Sequence, residues 1–341
     1  MSDKSWKDYF LKSGLPLEYE VKKTLVSKGC VVWDEYSYLK EDEQKLEKEF
    51  SYDIDASYWP GGHGVGLMIE CKYKTKTTDW LFLPDPFHYQ QDVSANSFLH
   101  PIDHFTDAFF PFLNSIYNKI CEPLGPFCLK GVELLNDKFD ETTIFRAINQ
   151  LSYAFIGNVI ESFSNQISVK TFAQTIFLHI PIIITNAELY VCKEDMTINA
   201  VKTATTVDQI ATKQNFLLFH NKAGAALRTH NLSSLQSYFT SLGDDVFKTK
   251  VRSFTQDINH FIDVLASSFP EVVLIMHHDE KRRNYDTLFD YLNFLLKPSD
   301  DLKQKMSEIE AKWEESKQKL DALGKRKQQN RSETGPSSSE N

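Results

Sequence analysis

The chain predicts an α/β fold in which a mixed central sheet is flanked by helices, with a helical insertion and a further C-terminal helix. Three observations carry that expectation. Apolar residues recur at helical spacing in Leu17, Val21 and Leu25 and again in Ile144, Ile148, Leu151, Phe155, Val159 and Ile160. Two acidic segments, Tyr52-Asp53-Ile54-Asp55-Ala56 and Leu67-Met68-Ile69-Glu70-Cys71-Lys72, read as strands of a hairpin around the turn formers Trp59-Pro60-Gly61-Gly62-His63-Gly64. Apolar runs at Thr175 to Thr185 and Val272 to Met276 supply further strands. With 341 residues and 41% hydrophobic content the chain can bury a full core, as one large domain or two smaller ones.

Each element follows from local chemistry. Ser13-Gly14-Leu15-Pro16 starts a first helix, because proline is tolerated where no intrahelical N–H bond is lost, and Gly29 stops it. Cys30-Val31-Val32-Trp33 reads as a strand with Glu35-Tyr36-Ser37-Tyr38 as its polar exit. After Trp80-Leu81-Phe82-Leu83-Pro84 the pattern turns aromatic and proline-rich, so residues 87–142 are expected to be an irregular and helical insertion. Asp140-Glu141-Thr142-Thr143 would cap the helix that follows. Leu189-Tyr190-Val191-Cys192 is expected to pair with the preceding strand across Asn186-Ala187. Further on, a strand at Phe216 to Phe219, helices near 232–242 and 247–268, the strand at 272–276 and a helix through Leu288 to Leu295 would extend the same sheet. These elements assign residues 1–298 to one domain. Leu302, Met306, Ile309, Trp313, Ser316, Leu320 and Leu323 form a heptad-like seam on a charged helix at 299–324, where packing back on the domain competes with homo-oligomer formation. The tail 325–341, basic and then Ser-rich, is expected to be disordered.

The acidic hairpin carries the chemistry. Strand side chains alternate, so Glu70 and Lys72 share one face, and Asp53 and Asp55 share another. Carboxylates on adjacent strands hold a hard cation, and a lysine one step away places an ammonium beside a phosphate or a water. Lys72, Lys74 and Lys76 alternate out of the strand, either as a phosphate-facing rail or as a solvated strand end. Glu18 lies beside the apolar stripe of the first helix and can look toward the sheet edge.

The order helix with Glu18, strand, strand with Asp53-x-Asp55-Ala56, strand with Glu70-Cys71-Lys72 resembles the PD-(D/E)XK, or restriction-endonuclease-like, nuclease superfamily. The resemblance covers about the first quarter of the chain and lacks the proline often found before the first aspartate. It implies a restriction-endonuclease-like core with Asp53 and Glu70 as metal ligands, Lys72 as the catalytic lysine and Glu18 as a helix-borne acidic partner. Asp55 stands as the alternative ligand, the Ile69 or Cys71 carbonyl as a further one, and Mg²⁺ as the cofactor with Mn²⁺ as substitute. Some relatives carry a glutamine and a tyrosine on the second helix, where this chain has Gln150 and Tyr153 at closer spacing, alongside Arg146; an ordinary polar flank is the favoured reading there. The expected activity is phosphodiester hydrolysis in nucleic acid, with DNA as partner, in restriction, defence or repair. The alternative is a catalytically silent module of the same fold that binds nucleic acid or a partner protein.

Composition narrows the class. A formal net charge of −9 argues against coating nucleic acid by phosphate neutralisation, which needs clustered cations. Five cysteines without a Cys-x-x-Cys pair fit a reducing cytoplasm and no structural zinc. The longest apolar stretch, Ile176 to Thr185, is broken by His179 and Pro181, so no membrane span is expected. His63, His100, His104, His277 and His278 are expected to be structural or solvent-exposed.

Overall fold

The structure is a computed structural model; it describes residues 3–41, 47–75, 78–85, 98–106, 124–135, 138–140, 142–252, 255–268, 270–279, 281, 283–297, 304, 308 and 311. Its strands are β1 (Val31–Val32), β2 (Tyr36–Glu41), β3 (Glu47–Tyr52), β4 (Ile54–Tyr58), β5 (Gly64–Lys72), β6 (Thr78–Pro84), β7 (Pro101–Ile102), β8 (Phe127–Leu135), β9 (Lys138–Asp140), β10 (Phe177–Thr185), β11 (Glu188–Cys192), β12 (Ala211–Gln214), β13 (Phe216–His220) and β14 (Val272–His277). The helices are α1 (Asp3–Lys12), α2 (Leu15–Ser27), α3 (Thr142–Ser168), α4 (Ile198–Thr203), α5 (Ala225–Leu242), α6 (Asp244–Lys250), α7 (Ile258–Ser268) and α8 (Asn284–Leu296). Contacts divide the chain into Met1–Leu296 and Lys297–Asn341.

The first unit is built on a large mixed sheet flanked by helices, in the order β1-β4-β5-β10-β14-β13-β8-β6-β11-β12 among the described residues. Strand β5 runs antiparallel to β4 and parallel to β10, which is parallel to β14. Its position between neighbours explains its continuous apolar run, since both faces need cover. Strand β10 is buried along its whole length. Against it lies α3, whose buried stripe includes Ile144, Ile148, Leu151, Phe155, Val159 and Phe163. On the other end of the chain's first helical pair, Leu17, Val21 and Leu25 of α2 are the buried stripe expected from their spacing.

Several elements differ from the sequence expectation. Tyr36–Glu41 is a strand in its own right and forms a two-stranded hairpin with β3, so it is not a polar exit. Strand β11 does not pair back on β10; it lies between β6 and β12. The reason is the Asn186 side chain, which accepts from the Lys74 N–H (2.6 Å) and donates to the Lys74 carbonyl (2.8 Å). That clamp holds the exits of β5 and β10 side by side, and both chains pass on to a second parallel pairing, β6 with β11. The β5–β10 and β6–β11 pairs stand far apart in the strand order, with β14, β13 and β8 between them.

The described part of 87–142 contributes strands β7, β8 and β9, and β8 sits inside the sheet between β13 and β6. It is therefore part of the sheet, contrary to the expected helical excursion. Gly131 of β8 is required there, since a Cβ would stand 2.4 Å from the Phe82 ring. The helical segment expected at 247–268 is split into α6 and α7. All seven seam residues from Leu302 to Leu323, and the tail 325–341, lie outside the described residues. No helix among the described residues is long and apolar enough to cross a membrane.

Candidate active site

The site forms where α2, the β3–β4 junction and the end of β5 meet. Gly14, at φ 84°, supplies the left-handed turn before α2, and its carbonyl accepts the Glu18 N–H at 3.1 Å. A Cβ at Gly14 would stand 3.3 Å from the Glu18 carboxylate, so glycine also leaves room for that side chain. Packing of Leu17 and Val21 turns Glu18 half-inward. Its pKa is raised by burial and by the nearby Asp53 charge, against the opposing pull of Lys22 and Lys72.

Asp53 is not in a strand. It occupies the bend where the chain leaves the β2–β3 hairpin and joins the main sheet, and its Oδ2 accepts the Cys71 N–H at 2.7 Å. Burial raises its pKa, while the Cys71 N–H and Lys72 lower it and Glu35 raises it further. The bend separates the two aspartates that alternation had placed on one face. Asp55 lies in β4 and accepts the Tyr52 hydroxyl at 2.9 Å, and it raises the pKa of Glu161 on α3. It belongs to a Tyr36–Tyr52–Glu161 neighbourhood, and Asp53 belongs to the neighbourhood of Glu70.

Glu70 is completely buried at the last turn of the β5 pleat. Its Oε1 accepts a charged hydrogen bond from Lys72 Nζ, whereas Oε2 has no hydrogen-bond partner. Burial, reinforced by the Asp53 charge and opposed by Lys72 and by the nearby Asp53 backbone N–H, pushes the Glu70 carboxyl up to about 7. An orphaned buried carboxylate oxygen is costly unless something cationic or protic meets it. Lys72 shares the Glu70 face, as alternation predicts, and its side chain stays partly open to solvent. In an antiparallel ladder the N–H and C=O of one residue face the same side. The Ile54↔Ile69 register therefore commits the Ile69 carbonyl to β4, while the Cys71 carbonyl faces the side on which Asp53 stands.

Lys74 is not a free phosphate rail. Its side chain is 15% exposed, and its ammonium pairs with the buried Glu133 carboxylate at 2.6 Å and reaches Thr143 Oγ1 at 3.3 Å. Glu133 also accepts the Trp80 indole N–H at 3.2 Å, so the pair is built into the sheet. Lys76 lies outside the described residues. Gln150 and Tyr153 diverge: the Gln150 side-chain amide donates to the Ser51 carbonyl and the Gln150 backbone carbonyl accepts the Tyr38 hydroxyl, while the Tyr153 ring meets His230 on α5. Gln150 thus pins the β2–β3 hairpin to α3. Of the histidines, His100 Nδ1 and His277 Nδ1 bond to the His179 and Ala187 carbonyls, in structural roles.

Glu35 is the residue that sequence reasoning missed. It is exposed in the β1–β2 connection, and its charge raises the pKa of both Asp53 and Glu18. Nothing in the local pattern marks it, because its approach depends on how pairing of β1 with β4 and packing of α2 place the β1–β2 connection. Among the described residues no group of three or more His, Cys, Asp or Glu side chains converges to hold a metal ion. The arrangement offers two inward carboxylates, a carbonyl facing their side and an ammonium. Magnesium is held by only one or two carboxylates with several waters, so that donor set suits it. No family model, curated protein or solved structure matches the chain.

Proposed function

We propose that this chain is a divalent-metal-dependent nuclease of restriction-endonuclease-like architecture that hydrolyses phosphodiester bonds in nucleic acid, with DNA as the expected substrate. The observation that carries the reading is the fully buried Glu70, whose Oε2 lacks a partner while Asp53 stands close enough to raise its pKa. Asp53, Glu70 and the Cys71 carbonyl are the groups that would hold Mg²⁺ or Mn²⁺. When bound, such an ion polarises a phosphoryl oxygen and lowers the pKa of a water.

The chain's own groups do the rest. Cys71 N–H fixes the Asp53 carboxylate against the end of β5, so its position does not depend on a flexible side chain alone. Lys72 Nζ lies on the Glu70 face, and a phosphate reaching the site would draw it from Glu70 to the oxygen on which charge builds. Glu18 and Glu35 add negative potential at the rim, favouring a cation over a bare phosphate.

The silent-module alternative draws on one observation, the Lys72–Glu70 ion pair, which compensates a buried carboxylate without any metal. Cleavage of labelled single-stranded, duplex and branched DNA and of RNA, each with Mg²⁺, Mn²⁺ or chelator, separates the two. Metal-dependent products that vanish in Glu70→Gln support the nuclease. Absence of cleavage on all substrates with either metal leaves the silent module.

A further inference from the structure

Among the described residues, four lysines around the site are already engaged. Lys72 is paired with Glu70, Lys74 with Glu133, Lys22 with Asp34 and Lys28 with Asp286. A nucleic acid held here needs another source of affinity. The carboxylates at the rim are each followed or preceded by an exposed aromatic ring: Tyr19, 65% exposed, adjoins Glu18 on α2, and Trp33, 52% exposed, lies two residues before Glu35 in the β1–β2 connection. These rings come from different elements, which the Lys22–Asp34 ion pair joins at 2.7 Å, and the Glu35 charge acts on both Asp53 and Glu18. Lys23 Nζ lies 5.6 Å from the centre of the Tyr19 ring. The same pairing recurs on α1, where Lys7 Nζ stands 5.7 Å from the Trp6 ring. A ring with an ammonium above it matches a nucleotide, which offers a flat base beside a charged phosphate.

From the exposed Tyr19 and Trp33 rings flanking the acidic cluster, with Lys23 over Tyr19, we infer that the site takes nucleic acid through unpaired bases, which stack on these two rings as the strand crosses the rim. This rests on the proposed function and names the substrate class within it. Stacking accepts any base because every base has a π face, and it is denied to bases inside a duplex. It also suits a protein of net charge −9, because affinity from stacking does not require a basic groove.

The test uses the full chain in Ca²⁺, with fluorescent oligo-dT and oligo-U of roughly 16 nucleotides and a duplex of the same length as probes. Wild type should bind at least one single strand about tenfold or more tightly than the duplex. Tyr19→Ala and Trp33→Ala should each weaken single-strand binding by roughly five- to a hundredfold, the range expected for losing one stacked base. Tyr19→Phe and Trp33→Phe should recover most of the affinity, which a merely polar or structural role would not allow. Both rings are exposed, so unchanged melting temperatures are expected to accompany the loss. The oligo-dT and oligo-U arms distinguish DNA from RNA. Equal or tighter duplex binding, or single-strand binding that ignores both alanine variants, overturns the inference. Because binding is read without turnover, an inactive protein that still stacks strands on these rings refutes the nuclease and keeps this inference. An active nuclease indifferent to both rings does the reverse.

Discussion

Asp53 and Asp55 show how much one residue's backbone setting decides. Alternation treats them as equivalents, but a bend at Asp53 turns it toward Glu70, whereas Asp55 stays in β4 and accepts the Tyr52 hydroxyl. Asp53→Asn should therefore abolish metal-dependent cleavage, and Asp55→Asn should lose far less; the reverse order in single-turnover assays would move the ligand to Asp55. Glu70 makes a prediction in pH. Its folded pKa, about 7, is raised above the ordinary carboxylate value of 4.5 by burial and Asp53. The protonated form is thus favoured by folding, so this contribution is full below about pH 4.5 and is lost as pH rises through about 7. Metal-free protein should unfold more easily at pH 8 than at pH 5 by up to about 3 kcal/mol from this group. Glu70→Gln should flatten that difference in urea titrations and gain stability at pH 8; an unchanged pH profile would show that Glu70 does not titrate as described.

Elements whose signal is local were legible, and those set by distant pairing were not. The apolar stripe of α2, the buried stripe of α3 and the runs of β10 and β14 each declare themselves within one window. The β2–β3 hairpin did not, because Glu35 to Tyr38 reads as a polar exit until Tyr36 is seen stacked on Tyr52 at 5.2 Å. Strand β8 was hidden by the aromatic richness of its surroundings, and β11 by a turn sequence whose asparagine serves Lys74 instead of a hairpin. The same clamp governs the fate of Lys74, which alternation alone offered as a phosphate contact. Removing it leaves Glu133 buried without its cation, so Lys74→Ala should destabilise the fold by about 3 kcal/mol or more. Single-strand affinity should hardly change. A stable variant with weakened binding would restore the rail.

At the scale of the molecule, the sheet brings together what the chain keeps apart: a carboxylate from α2, one from the junction of two sheets, one from a buried central strand and an ammonium from that strand's end. The order of these residues was legible, as was the shared face of Glu70 and Lys72, because strand alternation is local. Their electrostatic coupling was not, because it arises from the meeting of α2, the bend at Asp53 and the end of β5, and from the approach of Glu35. The role of Lys72 at the metal site is decided by comparing wild type with Lys72→Ala in single-turnover cleavage and in calorimetric Mn²⁺ titration. Mn²⁺ binding should persist or strengthen, since Asp53 and Glu70 remain and Glu70 loses its competing ammonium, while cleavage should fall by two or more orders of magnitude, roughly the loss seen when one transition-state donor is removed. Lys72→Arg should restore little, because a planar guanidinium cannot replace a compact ammonium on the Glu70 face. A Lys72→Ala protein that cuts at the wild-type rate, or a wild-type protein that binds no Mn²⁺, would contradict that role.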